Sequence, residues 1–149
     1  MANRFISKSA EETQNLAKKI AIQNKWRIYG LVGDLGSGKT TFTQAFLGAL
    51  GVKGKTTSPT FVIIKSYKLK APRSYAAEQA SYKFAYHIDC YRLRDSKELL
   101  GLDFKEILKN KNNIILIEWA DKIKNLLPKK TKWIYFEHGE KENERCFRY

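Results

Sequence analysis

The part of this sequence best equipped for chemistry is a glycine-rich stretch at residues 30–41, GLVGDLGSGKTT. Gly33, four further residues, Gly38, Lys39 and Thr40 satisfy the P-loop pattern Gly-x-x-x-x-Gly-Lys-Thr. In that pattern, backbone N–H groups surround phosphate oxygens, the lysine reaches the outer phosphates, and the threonine hydroxyl takes a place on Mg²⁺. Glycines are needed because a Cβ would keep the backbone away from the phosphate. The stretch therefore predicts a site for a nucleoside triphosphate with magnesium.

Two carboxylates follow apolar runs elsewhere in the chain. Asp89 closes FAYHID at residues 84–89, and Glu118 closes NIILIE at residues 113–118. A P-loop enzyme needs an acid at the C-terminal end of a neighbouring strand, where it holds magnesium or orients the attacking water. We therefore expect both carboxylates at the same sheet edge as the glycine-rich stretch. The alternative for each is an ordinary surface carboxylate at a strand end.

The segments around these residues alternate between helix and strand patterns. The pattern predicts helices over 9–24, with a Ser9–Glu12 capping box, over 40–50 before Gly51, and over 95–108. It predicts strands over 26–32, 60–68, 83–89, 114–119, 132–137 and 145–149, with a hairpin loop between Lys68 and Tyr82. We expect an α/β fold: a P-loop NTPase-like sheet flanked by helices, with residues 1–149 forming a single domain. Strand, loop and helix in this order favour a true P-loop over a glycine-rich turn with an exposed lysine.

Composition narrows the classes of protein to consider. The chain has 149 residues, only two cysteines and only two histidines, so neither a disulfide framework nor a zinc cluster is expected. The N-terminal stretch has no apolar export signal and no apolar run is long enough for a membrane span, so we expect a cytoplasmic protein. The formal net charge of +13 invites contact with RNA or an acidic partner, or reflects well-solvated lysine-rich surfaces.

Four spaced motifs carry a resemblance to a known family. They are GDLGSGKTTF (33–42), SPTF (58–61), HIDCYRL (87–93) and IEWA (117–120), behind a helix that carries EETQNLA (11–17). Together they closely resemble the bacterial TsaE (YjeE) ATPases of threonylcarbamoyladenosine tRNA modification, over almost the whole chain. Ser37 stands where the family usually has alanine, at a position expected to contribute backbone rather than side chain. Cys90 replaces a more common leucine.

The resemblance implies a role for each matching residue. Thr40 and Glu118 are expected to hold magnesium. The catalytic set is expected to be Asp89, Glu118 and Thr60, with Asp89 on the attacking water or the outer shell of the metal. The expected nucleotide-binding residues are Thr13, Gly33, Asp34, Leu35, Gly36, Ser37, Gly38, Lys39, Thr40, Thr41 and Trp119.

Three of these assignments concern the periphery of the nucleotide. Thr60, in the Ser58-Pro59-Thr60 loop, is expected to sense the γ-phosphate. Trp119 is expected to stack on the adenine, the alternative being a core aromatic residue that follows a strand. Thr13 is expected to touch the base or ribose from the other side, the alternative being an ordinary exposed helix residue.

The function implied by the resemblance is ATP binding and hydrolysis, weak in isolation and dependent on a partner complex. The partners are TsaB and TsaD, whose repeated turnover the ATPase cycle permits; contact with tRNA, direct or through the partners, stays open. One rival is a small-molecule kinase, which needs a lid arginine from Arg73, Arg92 or Arg94. A second rival is a basic RNA-binding module with an incidental P-loop.

Overall fold

The computed structural model describes residues 3–23, 25–54, 56, 63–70 and 82–149. The strands are β1 Arg4–Ser7, β2 Ile28–Gly33, β3 Ile64–Lys68, β4 Phe84–Asp89, β5 Asn113–Glu118, β6 Lys132–His138 and β7 Arg145–Arg148. The α-helices are α1 Ala10–Gln23, α2 Lys39–Ala49 and α3 Phe104–Lys109, and two 3-10 helices cover Ser96–Leu102 and Ala120–Leu126.

The seven strands of the described residues form one sheet in the order β1-β7-β6-β2-β5-β4-β3. The four central strands β6, β2, β5 and β4 are parallel. At the margins, β3 runs antiparallel to β4, and β7 runs antiparallel to both β6 and β1. The expected α/β sheet flanked by helices is confirmed. Because β2, β4 and β5 are parallel, their C-terminal ends meet at one edge of the sheet.

A hydrophobic layer covers each face of the sheet, and strand alternation assigns residues to the two layers. Leu31 and Leu116 pack on one face with α1 and α2, where the Tyr29 and Phe46 ring centroids are 4.9 Å apart. Ile115 and Ile117 pack on the other face with α3 and the two 3-10 helices. Glu118 shares a face with Leu116, so this alternation turns its carboxylate toward α2.

Most predicted elements are confirmed near their expected positions, and the differences have local causes. The four-residue β1 was not predicted, since its pairing with distant β7 decides its conformation. The single helix expected over 95–108 is divided at Asp103, whose φ of 55° ends the 3-10 helix before α3 begins. The 3-10 helix at Ala120–Leu126 was also missed. Part of the predicted strand over 60–68 lies outside the described residues.

Two further predictions, the hairpin and the capping box, agree with the structure in part. The antiparallel pairing of β3 with β4 agrees with a hairpin, although residues 71–81 of its loop are outside the described residues. At the start of α1, Ser9 Oγ accepts from the N–H of Glu12, but the Glu12 carboxylate accepts from the N–H of Lys8 rather than of Ser9. In the part of the chain that the structure describes, no helix is long and apolar enough to cross a membrane.

Gly33 is required by packing as well as by the loop that it begins. It lies opposite Phe136 in β6, and a Cβ at Gly33 would lie 2.3 Å from the Phe136 carbonyl oxygen. Backbone atoms cannot yield as a flexible side chain can. For Gly48, inside α2, the described part of the chain beyond the neighbouring residues and the helix backbone places no atom within 4 Å of the position that a Cβ would take.

We expect Gly33→Ala to lower the free energy of unfolding by about 1–3 kcal/mol or more, since an overpacked site must displace backbone. Gly48→Ala should instead raise it by about 0.5–1 kcal/mol, because alanine is the better helix residue. Urea unfolding of both variants checks this. Equal stability of Gly33→Ala and the parent would contradict the close packing of β2 against β6.

Candidate nucleotide site

The glycine loop, residues 33–38, joins β2 directly to the start of α2. Gly36 and Gly38 have φ values of 74° and 100°, which favour glycine. Gly38 is the N-cap of the 11-residue α2, and glycine has no side chain that could cap that end by a hydrogen bond. An α-helix begins with N–H groups that have no partner inside the helix and carries partial positive charge there. The loop and helix end therefore form a site suited to an anion.

Lys39 is held against the glycine loop. It is only 4% exposed, and its ammonium donates to the carbonyl oxygens of Gly33 at 2.5 Å and Asp34 at 2.7 Å. The same nitrogen lies 4.2 Å from the centroid of the Trp119 ring. Burial lowers the pKa of Lys39, and the nearby carboxylate of Glu118 opposes that shift. The lysine thus brings a positive charge to the mouth of the loop.

Glu118 connects three elements at the end of β5. Its Oε2 accepts from the Thr40 hydroxyl of α2 at 3.0 Å, and its Oε1 lies 2.8 Å from Nε2 of His87 in β4. Glu118 is 2% exposed and His87 is fully buried. A buried carboxylate is tolerated when hydrogen bonds satisfy its oxygens. The two contacts therefore fix the Glu118 carboxylate beside the first turn of α2.

His87 is a functional candidate to which sequence reasoning assigned no role. An ionised carboxylate only accepts hydrogen bonds, so Nε2 of His87 is assigned as the donor to Glu118. The Nδ1 atom is buried and has no hydrogen-bond partner among the described residues, which agrees with the tautomer that carries its proton on Nε2. The available signal was strand alternation: His87 and Asp89 lie on one face of β4, and Asp89 is paired in register with Glu118.

Asp89 and Trp119 complete a cleft of about 280 Å³ on this side of the loop, together with Lys39, Thr40 and Glu118. An Asp89 carboxylate oxygen accepts from the N–H of Tyr91 at 2.9 Å. The Tyr91 and Trp119 ring centroids are 5.0 Å apart. Both predicted acids thus lie at the sheet edge of the loop, as their positions at strand ends indicated. Trp119 is partly buried between Lys39 and Tyr91.

A second cleft, of about 370 Å³, lies on the opposite side of the loop, and Thr13 and Arg145 are among its lining residues. Thr13 is only 2% exposed, and its hydroxyl is 2.9 Å from the Ser7 hydroxyl, so the alternative of an exposed helix residue is wrong. Arg145 Nε donates to the carbonyl oxygen of Gly36 at 3.1 Å. The sequence did not single out this arginine, because β7 is distant from the loop in the chain.

The remaining predicted residues are distributed as follows. Leu35 is 70% exposed at the tip of the loop, and Thr41 borders both clefts. Ser37 is fully buried, and its Oγ lies 3.3 Å from Lys39 Nζ, so its side chain contributes where only backbone was expected. Thr60 and its Ser-Pro-Thr loop lie outside the described residues, as does Arg73.

Magnesium fits the side chains gathered here. A hydroxyl oxygen of Thr40 and a carboxylate oxygen of Glu118 are 3.0 Å apart, with Asp89 next to Glu118 in register. Mg²⁺ prefers such oxygen ligands and is commonly bound by one or two carboxylates plus substrate phosphates. Within the described ranges, no group of three or more His, Cys, Asp or Glu side chains could hold a metal without such a substrate.

Comparisons with known proteins agree with this geometry. Residues 7–147 match the family described as Threonylcarbamoyl adenosine biosynthesis protein TsaE. The tRNA threonylcarbamoyladenosine biosynthesis protein TsaE of Bacillus subtilis is 38% identical over 92% of this chain and 79% of its own length. The Haemophilus influenzae protein of the same name is 36% identical over 84% of this chain and 68% of its own length. The crystal structure of Bacillus subtilis YdiB superimposes with a TM-score of 0.70 at 28% identity, covering 99% of this chain and 85% of that one.

Substitution of His87 tests its contact with Glu118. Replacing His87 by leucine should lower the free energy of unfolding by about 1–3 kcal/mol, because a buried carboxylate oxygen loses its donor. Glutamine, which keeps an N–H, should restore part of the loss.

A double-mutant cycle supplies the control for this prediction. In a Glu118→Ala background, His87→Leu should cost clearly less, since the acceptor is already gone. An equal cost in both backgrounds would show that His87 acts through packing alone.

Proposed function

Because the chain belongs to the TsaE family of threonylcarbamoyl adenosine biosynthesis proteins, we propose that it is an ATP-binding and ATP-hydrolysing subunit in the threonylcarbamoyladenosine modification of tRNA. In this proposal it does not transfer the threonylcarbamoyl group itself. It acts beside TsaB and TsaD and uses ATP, with Mg²⁺, to allow that pair repeated turnover. We further propose that the whole chain is one domain and that it works in the cytoplasm.

One observation carries the ATPase proposal. The Thr40 hydroxyl, at the uncapped start of α2, is hydrogen-bonded at 3.0 Å to a buried carboxylate at the end of the neighbouring strand β5. A glycine loop, a helix N-terminus, a lysine and a strand-end acid within one cleft form the combination needed to bind a triphosphate with its metal. A glycine-rich turn with an incidental lysine would not explain why the carboxylate of Glu118 is buried beside it.

Each side chain has a distinct part in the proposed reaction. Thr40 and Glu118 supply oxygen ligands for Mg²⁺, which when bound neutralises negative charge on the phosphates. Lys39 supplies a further positive charge to the outer phosphates from its buried position. Asp89, paired in register with Glu118, orients the attacking water.

We assign the residues at the periphery of the cleft to contacts with the nucleoside and to detection of the γ-phosphate. Trp119 offers its ring to the adenine, although its present contacts are with Lys39 and Tyr91. Thr13, across the loop, contacts the base or ribose, and its position in the second cleft supports this assignment. Thr60 reports the presence of the γ-phosphate to the partner proteins.

Slow hydrolysis by the isolated chain follows from the charges in the cleft. Among the described residues that line the 280 Å³ cleft, Lys39 is the only lysine or arginine. An arginine supplied to the transferring phosphoryl group by a partner can raise the rate by about 10³–10⁵. Activity should therefore depend on the partner complex.

The test of this function is the rate of ATP hydrolysis by the chain alone and with purified TsaB and TsaD, together with multiple-turnover tRNA modification by that pair. We expect the pair to stimulate hydrolysis and to need the chain for repeated turnover. Rapid hydrolysis that ignores the pair would remove the basis of the proposal. Transfer of phosphate to a small acceptor would support the rival kinase.

Lys39→Ala should weaken binding of a fluorescent ATP analogue by about 100-fold or more, because a buried ammonium that faces phosphate is lost. Lys19→Ala, which removes an exposed lysine of α1, is the matched control and should bind as the parent does. Circular dichroism melting confirms that both variants fold. An unchanged dissociation constant for folded Lys39→Ala would falsify the assignment of the phosphate site.

Glu118→Ala should retain nucleotide but lower the rate of hydrolysis in the assembled complex by about 100-fold or more, since this carboxylate acts on charge that develops in the transition state. Asp89→Ala should be milder. Glu106→Ala, at an acid that is 75% exposed on α3, serves as the control. A wild-type rate for Glu118→Ala would show that another residue is the catalytic acid.

A further inference from the structure

Positive charge is concentrated at the edge of the sheet opposite the glycine loop. We define the basic edge as the described segments 25–27, 68–70, 82–83, 109–112 and 128–132, which hold the start of β6, the end of β3, and the residues just before β2, β4 and β5. These segments contain no Asp or Glu. They contain ten basic residues: Lys25, Arg27, Lys68, Lys70, Lys83, Lys109, Lys111, Lys129, Lys130 and Lys132.

The glycine-loop edge has the opposite balance. Its described segments 34–39, 89–95, 118–122 and 137–145 contain nine Asp and Glu residues and six Lys and Arg residues. The formal charge is therefore +10 at one edge and −3 at the other, within a chain whose total is +13. A uniformly lysine-rich surface would not separate the two signs in this way, so this finding favours a localised partner over simple solvation.

Most of the cations of the basic edge face solvent. Eight of its ten basic residues are exposed; the two partly buried ones are Arg27 and Lys132. The Arg27 guanidinium donates to the carbonyl oxygens of Leu108 and Asn110, which makes it a structural residue. Lys109 pairs with Glu106 at 3.7 Å, although both are highly exposed and such pairs are weak.

An aromatic side chain stands among these cations. Trp26 is 40% exposed, and the ammonium of Lys132 lies 4.6 Å from its ring centroid. Bases of RNA stack on exposed aromatic side chains, and lysines beside them contact the phosphates. The edge spans the five adjacent strands β6, β2, β5, β4 and β3, or about 19 Å at the usual strand spacing of about 4.8 Å.

We propose that the basic edge is a binding surface for the phosphate backbone of RNA, with Trp26 as a stacking contact. The exposed Trp26 ring distinguishes the two possible occupants, because an acidic protein would need only the lysines, whereas RNA also offers bases that stack on the ring. RNA needs only the row of cations and the exposed ring. The related proteins are named for tRNA threonylcarbamoyladenosine biosynthesis, which makes a tRNA the RNA to test.

This surface is separate from the proposed nucleotide site. The six residues of β2 between the two edges span about 20 Å at about 3.3 Å per residue. RNA at the basic edge therefore leaves the glycine loop open to ATP. The inference does not depend on ATP hydrolysis, and Lys39→Ala protein should bind RNA as the parent does.

The test uses an end-labelled, unmodified tRNA transcript and fluorescence anisotropy across a range of salt. The edge variant carries Lys111→Glu, Lys129→Glu and Lys130→Glu, three exposed residues before β5 and β6. The control variant carries Lys19→Glu, Lys97→Glu and Lys141→Glu, which are exposed and lie outside the basic edge. Three such changes remove six charge units, so both variants fall from +13 to +7. A Lys→Gln version of the edge variant and circular dichroism melting guard against misfolding.

We expect the edge variant to bind at least about tenfold more weakly and the control to change less than about threefold. The slope of log K against log salt should fall by about two to three for the edge variant, as expected when three phosphate contacts are lost. Equal weakening of both variants would show that net charge alone matters, and would overturn the proposal. So would failure of the parent to bind at about 150 mM salt, or equally tight binding of polyglutamate with the same response to the variants, which would indicate an acidic protein partner. If RNA binding fails while partner-stimulated ATPase activity persists, the RNA-binding proposal is wrong and the ATPase proposal is unaffected.

Discussion

The site depends on the two hydrogen bonds that the buried carboxylate of Glu118 makes. Glu118 ends β5, accepts from Thr40 on α2 and lies 2.8 Å from His87 on β4. Three elements are thereby held in fixed relation at the mouth of the glycine loop. A carboxylate in that position is costly to bury, and its cost is offset only while both partners are present. We infer that the same pair of contacts that stabilises the fold pre-positions the oxygens that magnesium requires.

Lys39 and Glu118 bring opposite charges into one poorly solvated cleft. Burial lowers the pKa of Lys39, while the Glu118 carboxylate opposes that change. The cation–π contact with Trp119 and the carbonyls of Gly33 and Asp34 also support the ammonium. Charges on side chains this buried interact more strongly with a bound phosphate than charges at the surface would. The charged groups of the cleft are therefore already in place for an anion.

Much of this arrangement was readable from the sequence because its signals are local. The glycine loop between a strand and a helix has a fixed spacing, and strand-end acids follow apolar runs. These two patterns predict that Lys39, Asp89 and Glu118 lie close together. His87 was missed although strand alternation puts it on the same face of β4 as Asp89. Arg145 was missed because it lies 109 positions from Gly36 and no local pattern indicates that they meet. The short β1 and the 3-10 helix at Ala120–Leu126 escaped prediction for a related reason: tertiary pairing and packing, rather than periodicity, determine them. Separation of charge between the two sheet edges likewise emerges only when the strand order is known.

A crystal structure of the chain with Mg²⁺ and a non-hydrolysable ATP analogue would test the nucleotide site most directly. We expect magnesium bound through oxygen atoms of Thr40 and Glu118, with Lys39 released from the carbonyls of Gly33 and Asp34 and directed at the outer phosphates. We also expect His87 to stay on Glu118. Nucleotide bound elsewhere, or bound at the glycine loop with the Thr40–Glu118 hydrogen bond intact and the metal held by other residues, would contradict the proposed site.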